Sequence, residues 1–407
     1  MLTILHPESA HFVHSIGIGL WPLSLPGDAT ARLVIKTTKE MLLAAKVNGG
    51  FKIYVVPLML SGKETIGLMS AFFDVEDEPL VIYTPLFADD DTSKVVNMLT
   101  QPTLEIHFFD EQNREWLGYT CSLTCSPVAK DRMEKGRLLP FDLNLARLTH
   151  MQLHLWFGSR MQSDDQDAIS IDFQESHFAD DLVILDARAD NHLYQGGQSF
   201  SFSQLERQEP GAFQERDIAH LLGRLFDSRD IYMNPLRVTD REEIADLLVL
   251  TDSEIIVVQA KDSPNTEQVL RNTIVRKKAT AKKALLKAIN QVRGALRYMR
   301  SASPFEMIVG NIVVPVELGG RQVRALIVVK ELFNDEFGEY SLPILQLSKE
   351  TGIPCIALDY SELQVYTGMS SRGKFFEAFD LVYNHGQETG QLPRLRIWMV
   401  DEETSSC

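Results

Sequence analysis

The sequence predicts a mixed α/β protein in two domains, and three observations carry that prediction. The 407-residue chain, 44% hydrophobic and 24% charged, has an ordinary globular composition and exceeds the usual domain size of about 100–150 residues. Its first half alternates short apolar runs with turn-rich breaks, as an antiparallel sheet does, whereas its second half mixes apolar runs with helical stripes. Between them, residues 190–211, "DNHLYQGGQSFSFSQLERQEPG", are rich in Gly, Ser and Gln and lack periodicity, which puts a boundary inside them. The expected division is an N-terminal α/β domain over 1–190, built on a largely antiparallel sheet, a linker over 191–211, and a C-terminal domain over 212–400.

The elements follow in order. Residues 32–125 contain the runs "RLVIK", "FKIYVVPLML", "TIGLMSAFF", "PLVIYTPLF", "LEIHFF" and "REWLGYTCSLTC", separated by "SGKE", "VEDEP" and "DEQN", and these read as strands and turns. A helical pattern occupies about 127–158, followed by strands at "ISIDF" and "DLVILDA". The second half reads as a helix over about 212–226, three strands, a basic helix, two strands, a helix, and a strand at "PCIALDYSELQVY".

Several function classes are disfavoured at once. The start, "MLTILHPESAHF", lacks a basic region ahead of an apolar stretch, and no apolar run approaches the roughly 20 residues of a membrane helix. A cytoplasmic location without membrane attachment is therefore expected. Cys121, Cys125, Cys355 and Cys407 are too few and too scattered for a disulfide framework, and "CSLTC" lacks the second ligand pair of a zinc site. "LSGKET" follows Pro57, which stands five residues before Gly62 where a phosphate-binding loop needs glycine, and has Glu64 where it needs Ser or Thr, so it reads as a hairpin turn. "HMQLH" spaces His150 and His154 one helical turn apart, but Met151 stands where a metalloprotease keeps its glutamate. There is no G-x-S-x-G stretch for a serine nucleophile.

A formal net charge of -16 opposes broad nucleic-acid affinity, yet the charge is unevenly distributed. "RNTIVRKKATAKKALLKAINQVRGALRYMR", residues 271–300, contains no Asp or Glu. Leu285, Ile289, Val292, Leu296 and Met299 form one apolar stripe, with Lys283, Lys287 and Gln291 together off it. Charge runs usually mark solvated faces, but such faces mix signs to gain pairs three and four residues apart. A face of one sign favours a polyanion, which makes Arg276, Lys283, Lys287, Arg293 and Arg297 the candidate phosphate contacts.

The chemistry converges on "IADLLVLTDSEIIVVQAK", residues 244–261. A turn centred between Asp252 and Ser253 pairs Leu250 with Ile255, Leu248 with Val257, and Asp246 with Gln259. Opposed residues share a face at about 4.5–5.5 Å between Cα atoms, and Lys261 lies on that face two residues on. Both faces of the hairpin are otherwise apolar, so a carboxylate and an ammonium there are costly unless paired or used. A buried Asp246–Lys261 ion pair is the simplest structural explanation. Glu215, three and four residues before Ile218 and Ala219 on the apolar face of the preceding helix, adds a second inward acid; a first-turn acid favoured by the helix dipole is its bland explanation.

Glu215, then Asp246 in "IADLLVL", then "VVQAK" ending at Lys261, then Gln291 in the following helix resemble the PD-(D/E)xK phosphodiesterase superfamily, in particular the Mrr-like restriction endonucleases and the nuclease-related domain. The resemblance covers 212 to about 367. It implies a restriction-endonuclease-like αβββαβ core and Mg²⁺-dependent hydrolysis of nucleic-acid phosphodiesters, with DNA the favoured substrate, Mn²⁺ able to substitute, and a role in defence against foreign DNA. It further implies that Asp246 and Gln259 hold the metal with the Ala260 carbonyl, that Glu215 completes the acidic site, that Lys261 orients water and stabilises phosphate charge, and that Gln291 lines the site. Gln259 departs from the commoner acid, as in Q-x-K members, and one carboxylate fewer weakens hard-cation binding. The alternatives are a catalytically inactive module of the same fold that binds nucleic acid or a protein, and a purely structural interaction protein. The N-terminal domain is a candidate recognition, regulatory or assembly unit, through a protein partner or a second copy.

Overall fold

The computed structural model describes residues 1–27, 31–60, 62–74, 79–369 and 371–394; Cys407 lies outside the described residues. The chain divides into two compact units, one comprising 1–184 with 204–206 and 265–271, the other 185–203, 207–264 and the chain from 272 onward. The stretch expected as a linker is therefore shared out between them. Tyr194 is buried in the core of the second unit and Leu205 in that of the first. Single apolar anchors set among Gly and Ser leave no periodic signal, which is why composition reads the segment as a bare connection.

In the first unit the alternating runs become strands β1 (Gly19–Leu23), β2 (Arg32–Lys36), β3 (Gly50–Leu60), β4 (Lys63–Phe72), β5 (Leu80–Pro85), β6 (Thr103–Phe109), β7 (Glu115–Thr124) and β8 (Ile169–Ser176). They form one sheet in the order β1-β2-β6-β7-β8-β3-β4-β5. Every neighbouring pair is antiparallel except β2 with β6. β1 escapes the periodicity argument because it carries Pro22, which a sheet tolerates on an edge strand such as this. "LSGKET" is the β3–β4 turn, with Leu60 paired to Lys63 and Gly62 at φ +75°. Helices Lys39–Asn48, Pro127–Lys135 and Leu143–Gly158 pack on β3, and Leu42, Ile53, Leu68 and Phe108 are fully buried in the core.

The second unit is built on five strands in the order Ile231–Met233, Leu247–Leu250, Glu254–Lys261, Gln322–Val329, Cys355–Asp359. The first three strands pair antiparallel with one another, and Glu254–Lys261, Gln322–Val329 and Cys355–Asp359 pair parallel. Val257, Val258, Leu326 and Ile327 are fully buried, as near-continuous apolar runs in covered parallel strands require. Helix Gly211–Leu222 precedes the sheet and packs on it; the basic helix, Ile274–Met299, follows Lys261 and covers the two central parallel strands.

The second unit departs from expectation in several places, among them an added two-residue strand, Leu236–Arg237, before the basic helix and a helix, Arg372–Thr389, after the last strand. After the basic helix there are three strands rather than two, because Gly310, at φ +60°, turns "EMIVGNIVVPV" into the hairpin Phe305–Val309 and Ile312–Val316, which joins a separate sheet. The last strand stops at Asp359 and helix Tyr360–Met369 begins. The Asp359 carboxylate accepts from the Glu362 amide at 2.8 Å and the Glu362 carboxylate from the Asp359 amide at 3.0 Å, the reciprocal capping that starts a helix. Among the described residues no helix is long and apolar enough to cross a membrane.

Candidate active site

The register expected for the hairpin is the register observed: Leu250 pairs with Ile255, Leu248 with Val257 and Leu247 with Val258. One step further along, the Asp246 carboxylate turns onto the facing strand, where one of its oxygens accepts from the Ala260 amide at 2.5 Å and from the Lys261 ammonium at 3.2 Å. Lys261 also donates to the Ala260 carbonyl at 2.7 Å. The Asp246 side chain is 3% exposed and that of Lys261 17%, so this ion pair is largely shielded from water. A lysine cation thus lies on the carboxylate and the carbonyl that the family resemblance assigns to a metal.

Glu215 reaches the same end of the sheet from helix Gly211–Leu222, and its carboxylate accepts from the Asn234 side-chain amide at 3.1 Å. The Asn234 backbone amide in turn donates to the Asp246 carbonyl at 3.0 Å. Asn234 holds φ +47°, a left-handed conformation that Asn adopts more readily than most residues, and so ties the helix to the strand. Glu243 is a third acid. Burial and the charges of Asp246 and Glu215 push its carboxyl up to about 7, against the pull of Lys261. Burial and then Asp246 raise Glu215, and burial raises Asp246 despite Lys261, the Ala260 amide and Lys287. Burial is the leading cause of all three shifts, and for Glu215 and Glu243 the neighbouring acids add to it.

Gln259 is 2% exposed, and its amide oxygen is buried with no hydrogen-bond partner. The same holds for the amide oxygen of Gln291, one helical turn beyond the Lys287 whose charge acts on Asp246. A buried acceptor without a donor loses its hydration for nothing in return, at about 1–3 kcal/mol. The acids do not close into a compact ligand set. Among the described residues, the one group of three His, Cys, Asp or Glu with ligand atoms within 4.8 Å of one another is Glu105, His107 and His177, in the first unit.

The basic helix is more neutralised than its own sequence suggests. Lys278, Lys282 and Arg293 bond to Asp335, Glu339 and Glu350, each pair 57 residues apart. The constant separation means that the basic helix and Phe337–Thr351 run parallel, side by side. Arg293, at 2.9 Å from Glu350, is consequently not held open for phosphate. Arg276, Lys283, Lys287 and Arg297 are exposed and have no ion-pair partner among the described residues.

Sequence reasoning did not single out Glu243 or Asn234. Both lie in irregular backbone before the hairpin, where no periodicity marks an inward residue; an acid three residues before Asp246 was the only signal available. The weaker candidates resolve differently. His154 bonds the Tyr83 hydroxyl at 3.1 Å and His150 packs on the Tyr83 ring at 4.7 Å between centroids. Burial raises the thiols of both Cys121 and Cys125, the former to about 12. No family model, curated protein or solved structure matches this chain.

Proposed function

We propose that the second unit is a metal-dependent nuclease of the PD-(D/E)xK kind, hydrolysing phosphodiester bonds of nucleic acid. The observation that carries the reading is the donorless, buried amide oxygen of Gln259, on the strand whose next two residues bond the Asp246 carboxylate. Asp246, Gln259 and the Ala260 carbonyl supply only oxygen, the donor set for Mg²⁺ or Mn²⁺, with Glu215 adding charge from the helix. A bound Mg²⁺ would supply an acidified water and a Lewis acid at the phosphoryl oxygen. With a cation on Asp246, Lys261 would be free to stabilise charge on the phosphate in the transition state. Lys283, Lys287, Arg276 and Arg297 hold the backbone by phosphate contacts that carry no sequence information.

A second reading is favoured by a specific observation. Lys261 is bonded to Asp246 and the acids form no compact three-ligand group, as in an inactive module that binds nucleic acid without cutting it. Incubating the purified protein with duplex DNA, single-stranded DNA and RNA in Mg²⁺, Mn²⁺ or EDTA separates the two. Cleavage that requires the metal supports the nuclease; background cleavage throughout, with binding retained, selects the inactive module.

A further inference from the structure

The first unit holds a second cluster that the nuclease reading does not use. Glu105 and His107 are two apart on β6 and so share a face. His177 follows directly on β8, two strands away. Gly118 on β7 pairs with His107 and its carbonyl accepts the His177 amide at 2.8 Å, so the three residues form one row across the sheet. The glycine is what lets the imidazoles meet: their ring centroids lie 5.7 Å apart, and a Cβ on Gly118 would come within 3.3 Å of His107 Nδ1 and 3.1 Å of the Phe178 ring.

We propose that Glu105, His107 and His177 bind a divalent transition metal of the zinc class. Two imidazoles and one carboxylate are a donor set that such ions prefer over Mg²⁺, and their ligand atoms already lie within 4.8 Å of one another. The support around them is of the kind metal centres use. His107 Nδ1 is bonded to Glu115 at 2.9 Å, and Glu115, with a side chain 1% exposed, is itself fixed by the Leu2 amide at 2.9 Å. That contact turns His107 Nε2 toward Glu105, 2.7 Å away, and a buried carboxylate behind a histidine is the recurrent device for orienting a ligand. An ion-pair network needs only Glu105, His107, Glu115 and the Arg32 that donates to Glu105 at 2.8 Å. His177 lies outside that network, its Nε2 bonded to the Thr120 hydroxyl at 3.1 Å and its ring set against that of His107 across Gly118. On metal entry the proton shared by His107 and Glu105 passes to solvent. His177 is exposed and the Glu105 side chain is 36% exposed, so the cluster opens to water on that side.

Co²⁺ is the probe, because it takes zinc sites and absorbs visibly in them. Chelator-stripped full-length protein titrated with Co²⁺ should develop d–d absorption and lose it on adding Zn²⁺. His177→Ala removes an exposed ligand without opening the core and should abolish that absorption. Glu115→Gln keeps the shape of the orienting residue and should weaken binding about 10- to 100-fold. Asp246→Ala, in the other unit, should leave the bands unchanged. Absence of absorption in the folded wild type, bands of equal intensity in His177→Ala, or bands lost only in Asp246→Ala would each overturn the proposal.

Discussion

At the end of the sheet in the second unit, Glu215, Glu243 and Asp246 crowd around one lysine, and all three carboxyls are raised, Glu243 to about 7. In the sheet of the first unit, Glu105 and Glu115 flank one imidazole with Arg32 alongside. There the His107 hydrogen bond, against burial and with help from Arg32, holds Glu105 down to about 2. Burial pulls His107 down as well, and its bonds to Glu105 and Glu115 outweigh it. The difference is one of balance. In the first cluster each acid is bonded to a basic side chain, whereas in the second only Asp246 is bonded to a lysine, and Gln259 and Gln291 hold buried acceptors without donors. Their donors differ in kind too, oxygen alone against imidazole with oxygen, so the same contrast sorts hard cations from softer ones.

Removing the acid at the centre of the unbalanced cluster should have the largest effect. Asp246→Ala should abolish metal-dependent cleavage in a gel assay, and because it leaves the Ala260 amide without its acceptor and Lys261 without its counter-charge it should cost about 3 kcal/mol in chemical denaturation. Nucleic-acid affinity measured without metal should stay level or rise, since one negative charge near the phosphates is gone. Gln259→Glu should sharpen the contrast further. A second carboxylate ligand should tighten Mg²⁺ binding by about tenfold in calorimetry; unchanged or weaker binding would mean that Gln259 serves as a neutral hydrogen-bonding group.

The two clusters should also answer pH with opposite signs. Glu243 has a folded pKa of about 7 against an ordinary 4.5, so the stability it contributes is complete below pH 4.5 and is lost as pH rises through 7. Glu105, at about 2 against 4.5, contributes stability that is present above pH 4.5 and is lost as pH falls toward 2. Thermal melts in EDTA should therefore show Glu243→Gln flattening the decline between pH 4.5 and 7, and Glu105→Gln flattening the decline on the acid side. If both substitutions act on the same side, the charge balance drawn for the clusters is wrong.

The smallest expected effect separates the open cations of the basic helix from the paired one. Lys287→Gln should reduce the slope of log binding constant against log salt by about 0.9, one phosphate contact's worth of released counterion. Arg293→Gln should leave the slope unchanged, since Glu350 already holds that guanidinium.

How much of this the sequence discloses depends on how local each cause is. The hairpin was legible because a turn centre and a period of two fix every partner, so Asp246 and Lys261 could be brought together on paper. Glu105 and His107 stand two apart on a readable strand, but His177 joins them only through the strand order β6-β7-β8, which no local pattern contains. The pairing of Lys278, Lys282 and Arg293 spans 57 residues, and so a block without a single acid looked open when its counter-charges lay on the neighbouring helix. Asn234 is hidden for a different reason, since its role rests on a left-handed backbone that Asn permits but does not announce.

In the proposed site Lys261 acts on phosphate while Asp246 and its neighbours hold a cation. This is tested most directly by measuring cleavage and Mg²⁺ binding together for wild type and Lys261→Ala. Cleavage should be about 100- to 1,000-fold slower in the variant, with Mg²⁺ bound as tightly as in wild type or more so, because the ammonium no longer competes for the Asp246 carboxylate. Equal cleavage by the two proteins, or a wild type that neither binds Mg²⁺ nor cuts any nucleic acid, would contradict it.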